Sequence, residues 1–428
     1  MSRPSDADRA PVQPWWERLG PGLITGAADD DPSGIATYSQ AGAQFGYALS
    51  WTMLLTFPLM VGIQLASARI GRVTGKGLTE NFSRMWPAWV VRTLVALLVL
   101  ANVINLGADL NAMGGAMVLV LGGHAAWYAL GFGAISLLLQ VFMPYVQYVK
   151  ILKWLTLSLL AYVGVAFVAH VNWVQALKAT FWPHMEWHQS YVTTVVAILG
   201  TTISPYLFFW QASQEVEEIK REPGARPLRV APEQIRQSLR RLKWDTIVGM
   251  GFSNLIAFFM IVATAATLHA HGITRIDTLA EAAKALEPIT GRFATWLFAL
   301  GVLGTGLLAL PVLAGSAAYA VSSLYGVKQG LDRPLSTAKP FYGILAAAMI
   351  IGMAISVARI NPIDALYWTA VINAVISVPI MVAVMIAASH KVLMGEIVLP
   401  MKWKVLGWMA TAVMALATLA MFVSMVNS

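Results

Sequence analysis

Eleven apolar stretches, each close to the length of a bilayer crossing, organise this chain of 428 residues. They run over 21–46, 48–69, 90–121, 125–143, 150–170, 190–214, 243–267, 293–325, 339–358, 361–388 and 404–426. Hydrocarbon offers the backbone no hydrogen-bond partners, so segments of this length and polarity cross it as helices. Only 12% of the residues are charged and 58% are hydrophobic, whereas soluble domains carry about 25% charge. The expected class is an all-α polytopic membrane protein. Cysteine is absent, which removes disulfides and thiolate metal sites.

The formal net charge of +8 invites a nucleic-acid reading, but its distribution argues otherwise. With the N-terminus placed in the cytoplasm, 23 of the 29 Lys and Arg residues fall on the cytoplasmic side and five on the outer side. That is the positive-inside pattern of a membrane protein. It predicts a cytoplasmic tail over 1–20, with Trp15 and Trp16 at the interface, and a C-terminus outside. The tail lacks the apolar core of a secretory signal. The densest charge, Glu215 to Lys243, reads as the main cytoplasmic loop with a short helix around Pro232 to Leu242. Lipid headgroups are one partner for such a loop, and plain topogenic charge is the simpler account.

The first span contains "GAADDDPSGIATYSQ", which sets Asp29, Asp30 and Asp31 before Pro32 and Gly34. An aspartate near a span centre costs roughly 2.5–3.5 kcal/mol on insertion scales, and such residues mark ion or substrate paths. Pro32 pushes Asp31 out of helical geometry and removes a donor. A helix broken here exposes carbonyls at the negative end of its first half. Carbonyls plus a carboxylate make an oxygen-rich cation site. A second break is expected about 170 residues on, where Gly200 and Ser204-Pro205 interrupt "AILGTTISPYLFFWQ". Paired breaks of this kind predict two inverted five-helix repeats, 21–170 and 190–388, joined by an outer loop over 171–189. An eleventh helix then lies within 389–428. In the third span, Asn102, Asn105 and Asp109 share one helix face. The asparagines fit either an ion path or ordinary interhelical hydrogen bonding.

At these motifs the chain resembles the NRAMP divalent-metal transporters, through "GPGLITGAADDDPSGIATYSQAGAQFGYALSW", "RVTGKGLTENF" and "WDTIVGMGFSNLIAFF". The resemblance implies the amino-acid/cation symporter fold with its inverted 5+5 helix repeat. The family's Asp-Pro-Gly-Asn aspartate maps to Asp31, and its asparagine maps to Gly34. In the family's Ala-x-x-Met-Pro-His pattern, the alanine maps to Thr201 and the metal-binding methionine to Ser204. The two sixth-helix histidines map to Tyr206 and Gln211, and the third-helix acid pair to Asp109 and Ala112.

A thioether selects soft transition metals, and a hydroxyl removes that selection. Mg²⁺ favours hard oxygen ligands and keeps several waters. The pattern is similar to the NRAMP-related magnesium transporters and implies Mg²⁺ uptake with Mn²⁺ also accepted. Asp31, Thr201 and Ser204 are the implied ligands, and Gly34 makes room. Asp29, Asp30 and Asp109 attract or relay the ion. The changes at Ala112, Tyr206 and Gln211 imply transport without protons. The competing expectation is a proton-coupled Mn²⁺/Fe²⁺ symporter on the same fold.

No nucleophile–base pair or HExxH site is present, so no enzyme is expected. No cofactor, nucleic acid or obligate protein partner is expected either; the partners are the divalent ion and the bilayer of the cell's inner membrane. His184 and His188, and His269 and His271, are read as interfacial residues and not as metal ligands. "GRVTGKG" lacks the spacing and the final Ser or Thr of a phosphate loop.

Overall fold

The first span is broken, as the Asp-Pro pair requires. A computed structural model describes residues 21–143, 147, 159–183, 185–358 and 360–426. The expected tail over 1–20, the start of the fifth span and His184 lie outside the described residues. Helix α1 (Pro21–Asp29) stops at the acidic triplet, and α2 (Pro32–Phe45) restarts with Pro32 in its first turn, where a missing N–H costs nothing. A short 3-10 turn leads into α3 (Trp51–Thr74). Then follow α4 (Leu78–Phe82), α5 (Ala88–Leu121), α6 (Ala125–Phe142), α7 (Leu160–Val168) and α8 (Trp173–Phe181).

The sixth span is broken in the same way. Helix α9 (Gln189–Thr202) ends before Ile203, and α10 (Pro205–Arg221) begins with a proline after Ser204. The remaining elements are α11 (Ile235–Thr267), α12 (Leu279–Lys284), α13 (Glu287–Thr290), α14 (Ala294–Leu324), α15 (Lys339–Ser356), α16 (Pro362–Ser389), α17 (Lys391–Met394) and α18 (Met401–Val426). Among the described residues, nine helical stretches are long and apolar enough to cross a membrane. The broken first span and the partly described fifth are the two expected spans outside that set. The chain is an all-helical polytopic membrane protein.

Two expectations need correcting. Glu215 to Lys243 is not one loop. Helix α10 continues to Arg221, and the expected short helix around Pro232 to Leu242 is the beginning of α11, entered through a 3-10 turn at Pro232–Gln234. Charged residues have good helix propensity, so helices run on past the point where hydropathy falls. Gly200, read as part of the second break, lies inside α9. There it permits contact with α16: a Cβ at this position would sit 1.9 Å from the Ala370 carbonyl oxygen. Gly200→Ala is therefore expected to destabilise the protein by about 1–3 kcal/mol, the usual cost of overpacking. A lowered melting temperature in detergent is the check, and an unchanged one would show that α9 and α16 can separate freely.

The broken elements sit at the centre of the bundle. Helix α1 packs along α11, α2 packs on α11 and α16, and α9 packs on α16. Helix α5 packs against α14, α15 and α16, and α18 covers α3 and α16 from outside. Helix α2 and the break of the sixth span are buried almost throughout, while α6 and α18 show many side chains outward. The interior is thus polar where the two breaks meet and apolar toward the lipid.

The set-aside motifs have structural roles. Gly75 ends α3 in the left-handed conformation, at φ 67°, and Gly77 caps α4. His188 caps α9, its Nδ1 accepting from the Tyr191 amide at 3.3 Å. His269 meets the Ala43 carbonyl at 2.8 Å, and His271 the Thr267 carbonyl at 2.6 Å.

Candidate functional site

Asp31 is the point where the two breaks and the third span join. Its residue is the N-cap of α2, in extended conformation. Oδ1 accepts the Gly34 amide at 2.9 Å and the Ser33 hydroxyl at 2.5 Å. Oδ2 accepts the Asn105 amide at 3.1 Å and the Tyr206 hydroxyl at 3.2 Å. Four donors fill the roughly four acceptor positions of one carboxylate. Two of them come from α2, one from α5 and one from α10, so a single side chain ties the break to two further helices.

The opposite wall is the break between α9 and α10. The Ser204 hydroxyl contacts the Gly200 carbonyl at 2.8 Å and the Thr201 carbonyl at 2.9 Å. The Thr201 hydroxyl lies 3.3 Å from that of Ser33, which spans the gap between the two breaks. Gly34 faces the same gap. A Cβ there would come 3.2 Å from Tyr38 Cε2 and 3.4 Å from Thr201 Oγ1, so the glycine provides close approach of the two breaks. Tyr206, which is fully buried, also lies 3.3 Å from the Ala28 carbonyl at the end of α1. The Ser33, Thr201 and Tyr206 hydroxyls therefore bring the Asp31 carboxylate and the second break together.

The other candidates are placed less directly. Asp29 and Asp30 both reach Ser253 of α11, at 2.6 Å and 3.0 Å, and not the gap. Asp29 keeps its Oδ1 buried without a hydrogen bond. Asp109 accepts from Asn105 at 3.1 Å, and its Oδ1 is likewise buried and unbonded. Ala112 is buried on α5, a turn beyond Asp109, with no polar group to offer. Gln211 is buried on α10, and neither atom of its amide has a hydrogen bond. Among the described residues, no three His, Cys, Asp or Glu side chains come together as a metal cluster. The geometry around Asp31 is one carboxylate among neutral oxygens.

Asn373, Ser253 and Ser377 escape a reading of the chain alone, which also leaves open which asparagine of the α5 stripe meets Asp31. Asn105 joins Asp31 to Asp109, and its own Oδ1 accepts from Asn373 of α16 at 3.2 Å. Asn102, on the same face, bonds instead to the Leu313 carbonyl and to Ser316, as plain interhelical contact. Ser377 of α16 holds the Ile203 carbonyl at 2.9 Å, which stabilises the open backbone of the second break. An isolated amide or hydroxyl in an apolar span was the available signal for Asn373, Ser253 and Ser377.

Two broken spans apposed at the bundle centre, with unwound backbone lined by polar groups, define a membrane protein of the inverted-repeat transporter fold. The solved structures agree on that fold. The Eremococcus coleocola manganese transporter, in complex with an aromatic bis-isothiourea substituted compound, superposes with a TM-score of 0.74 at 15% identity, covering 96% of this chain and 88% of that one. Mhp1, a nucleobase-cation-symport-1 family transporter in a closed conformation, gives a TM-score of 0.56 at 13% identity, covering 95% and 92%. The family described as natural resistance-associated macrophage protein-like, Nramp, matches residues 22–424, and the chain belongs to it. A curated relative, the divalent metal cation transporter MntH of Caldanaerobacter subterraneus subsp. tengcongensis, is 27% identical over 302 residues, 67% of each chain.

Proposed function

We propose that this protein carries divalent metal ions across the membrane, with Mg²⁺ uptake as its main activity, Mn²⁺ as a second cargo and no coupled proton. The observation that carries the proposal is the composition of the gap between the breaks: the Asp31 carboxylate, the Thr201 carbonyl and the Ser204 hydroxyl, at the position where the family pattern has a methionine. One carboxylate among neutral oxygens suits an ion that keeps part of its water shell. Without the thioether, the site has lost the ligand that discriminates in favour of soft metals. Two charges moving across about 100 mV gain about 4.6 kcal/mol, which drives accumulation with no second ion.

Asp31, Thr201 and Ser204 are the proposed ligands, with Gly34 admitting the close approach. Asp29 and Asp30, held by Ser253, supply negative potential along α1. The proposed orientation has the N-terminus in the cytoplasm and the C-terminus outside in the inner membrane. Residues 21–170 and 190–388 form the two proposed inverted repeats, followed by the eleventh span.

One observation favours a second reading, proton-coupled Mn²⁺/Fe²⁺ symport. Asn105 links Asp31 to Asp109, a buried acid with a free oxygen, and so connects the site to a group able to carry a proton. Reconstituted vesicles loaded with a pH dye separate the two. Mg²⁺ influx without internal acidification is the expected result. Mn²⁺ influx with acidification and no Mg²⁺ flux would establish the symporter and overturn the proposal.

A further inference from the structure

A second charged site lies far from the breaks, at the basic end of the bundle. A groove of about 230 Å³ opens between α3, α11 and the start of α18. Three cations line it, Arg69, Arg240 and Lys243, and no acidic residue does. Arg69 spends only its Nε, on the Ile397 carbonyl at 3.0 Å. The Lys243 ammonium lies 4.6 Å above the Trp244 ring. Among the described residues, the Arg240 guanidinium has neither an ion pair nor a hydrogen bond. Of the acids close in sequence to the groove residues, Asp245 accepts the Gly22 amide at 2.7 Å and Glu396 lies 3.9 Å from Lys391.

Three uncompensated cations in one groove bind an anion. The walls indicate which kind. Leu65, Leu242, Leu399 and Trp403 make the remaining surface largely apolar. From the mouth, α11 continues beyond Arg240 with Trp244, Val248 and Leu255 exposed on its outer side. These positions are spaced by four and seven residues, so they form one apolar track along the helix. The volume is below the roughly 300–1,000 Å³ of pockets that enclose a whole small molecule. A charged head in the groove and chains along α11 satisfy both halves of this surface. Basic pockets between helices on the cytoplasmic side have this character generally.

We propose that the groove seats the phosphate of an anionic phospholipid from the leaflet facing the basic end. The lipid would bridge α3, α11 and α18, and so pin the last helix to the two repeats.

The test uses the full chain in detergent and native mass spectrometry, titrating phosphatidylglycerol or phosphatidylcholine. The wild type is expected to retain phosphatidylglycerol in preference to phosphatidylcholine. The double variant Arg240→Gln/Lys243→Gln, which gives up only the Lys243 contact with the Trp244 ring, is expected to retain it at least about tenfold less well, as the loss of two headgroup cations implies. Arg226→Gln/Arg236→Gln, on the same end of the molecule, is the control and is expected to behave as wild type. Arg69→Gln is measured separately, because Arg69 also holds Ile397. Equal retention of the two lipids, an unaltered Arg240→Gln/Lys243→Gln variant, or an equal loss in the control would each overturn the proposal. Displacement of the lipid by millimolar inorganic phosphate would overturn it in favour of a free-anion site.

Discussion

Replacing Asp31 by alanine is expected to reduce Mg²⁺ and Mn²⁺ uptake into proteoliposomes to the level of protein-free vesicles. The change removes the one carboxylate in the gap between the breaks and leaves only neutral oxygens to attract a dication. It also has a structural cost. Loss of the N-cap of α2 costs about 0.5–2 kcal/mol, and the buried Asn105 amide loses an acceptor at about 1–3 kcal/mol, while Tyr206 keeps the Ala28 carbonyl. Asp31→Asn separates charge from fold, because asparagine caps a helix as well as aspartate does. Both variants are expected to lose transport, and the asparagine variant, which keeps the cap but turns its NH2 toward the Asn105 amide, is expected to fold and to melt between Asp31→Ala and wild type. Normal flux through Asp31→Asn would remove this residue from the site.

Ser204→Met is expected to reverse the metal preference. The serine hydroxyl now sits on the Gly200 and Thr201 carbonyls, so its replacement frees the Thr201 oxygen while delivering a polarisable sulfur to the same turn. Methionine is flexible enough to enter a buried position by adjusting its rotamers. Cd²⁺ affinity, read by calorimetry, is expected to rise by at least about tenfold, which is only about 1.4 kcal/mol of new soft-ligand interaction. Mg²⁺ flux is expected to fall in parallel. Unchanged Cd²⁺ binding in a well-folded variant would show that the side chain at 204 does not set selectivity and would overturn Mg²⁺ as the preferred cargo.

The spans were legible in the sequence because long apolar stretches have few alternatives in lipid. The first break was legible for a local reason: Asp31 and Pro32 each act on the backbone of their own turn. Gly200 misled for the converse reason. A glycine in a helix marks either a break or a close crossing, and only the presence of Ala370 opposite decides between them. The charged segment from Glu215 misled because hydropathy reports where lipid ends and not where a helix ends. Asn105 and Asn102 are the same residue type on the same face, yet one reaches Asp31 and the other reaches α14. That difference lies in what stands across from each, which no spacing along one helix encodes. The gathering of Ser33, Thr201 and Tyr206 around the break was out of reach on the same ground.

The capping of α2 by Asp31 has a mechanical meaning. The oxygen that a cation would seek is already the clasp that closes the first turn of a helix. Cargo and hinge therefore compete for one atom. On the proposed site, an ion caught at Oδ1 would loosen the Gly34 and Ser33 bonds, and its departure would let them re-form. Occupancy of that oxygen would thereby be translated into the stiffness of the joint between α1 and α2, within a single residue and without a relay.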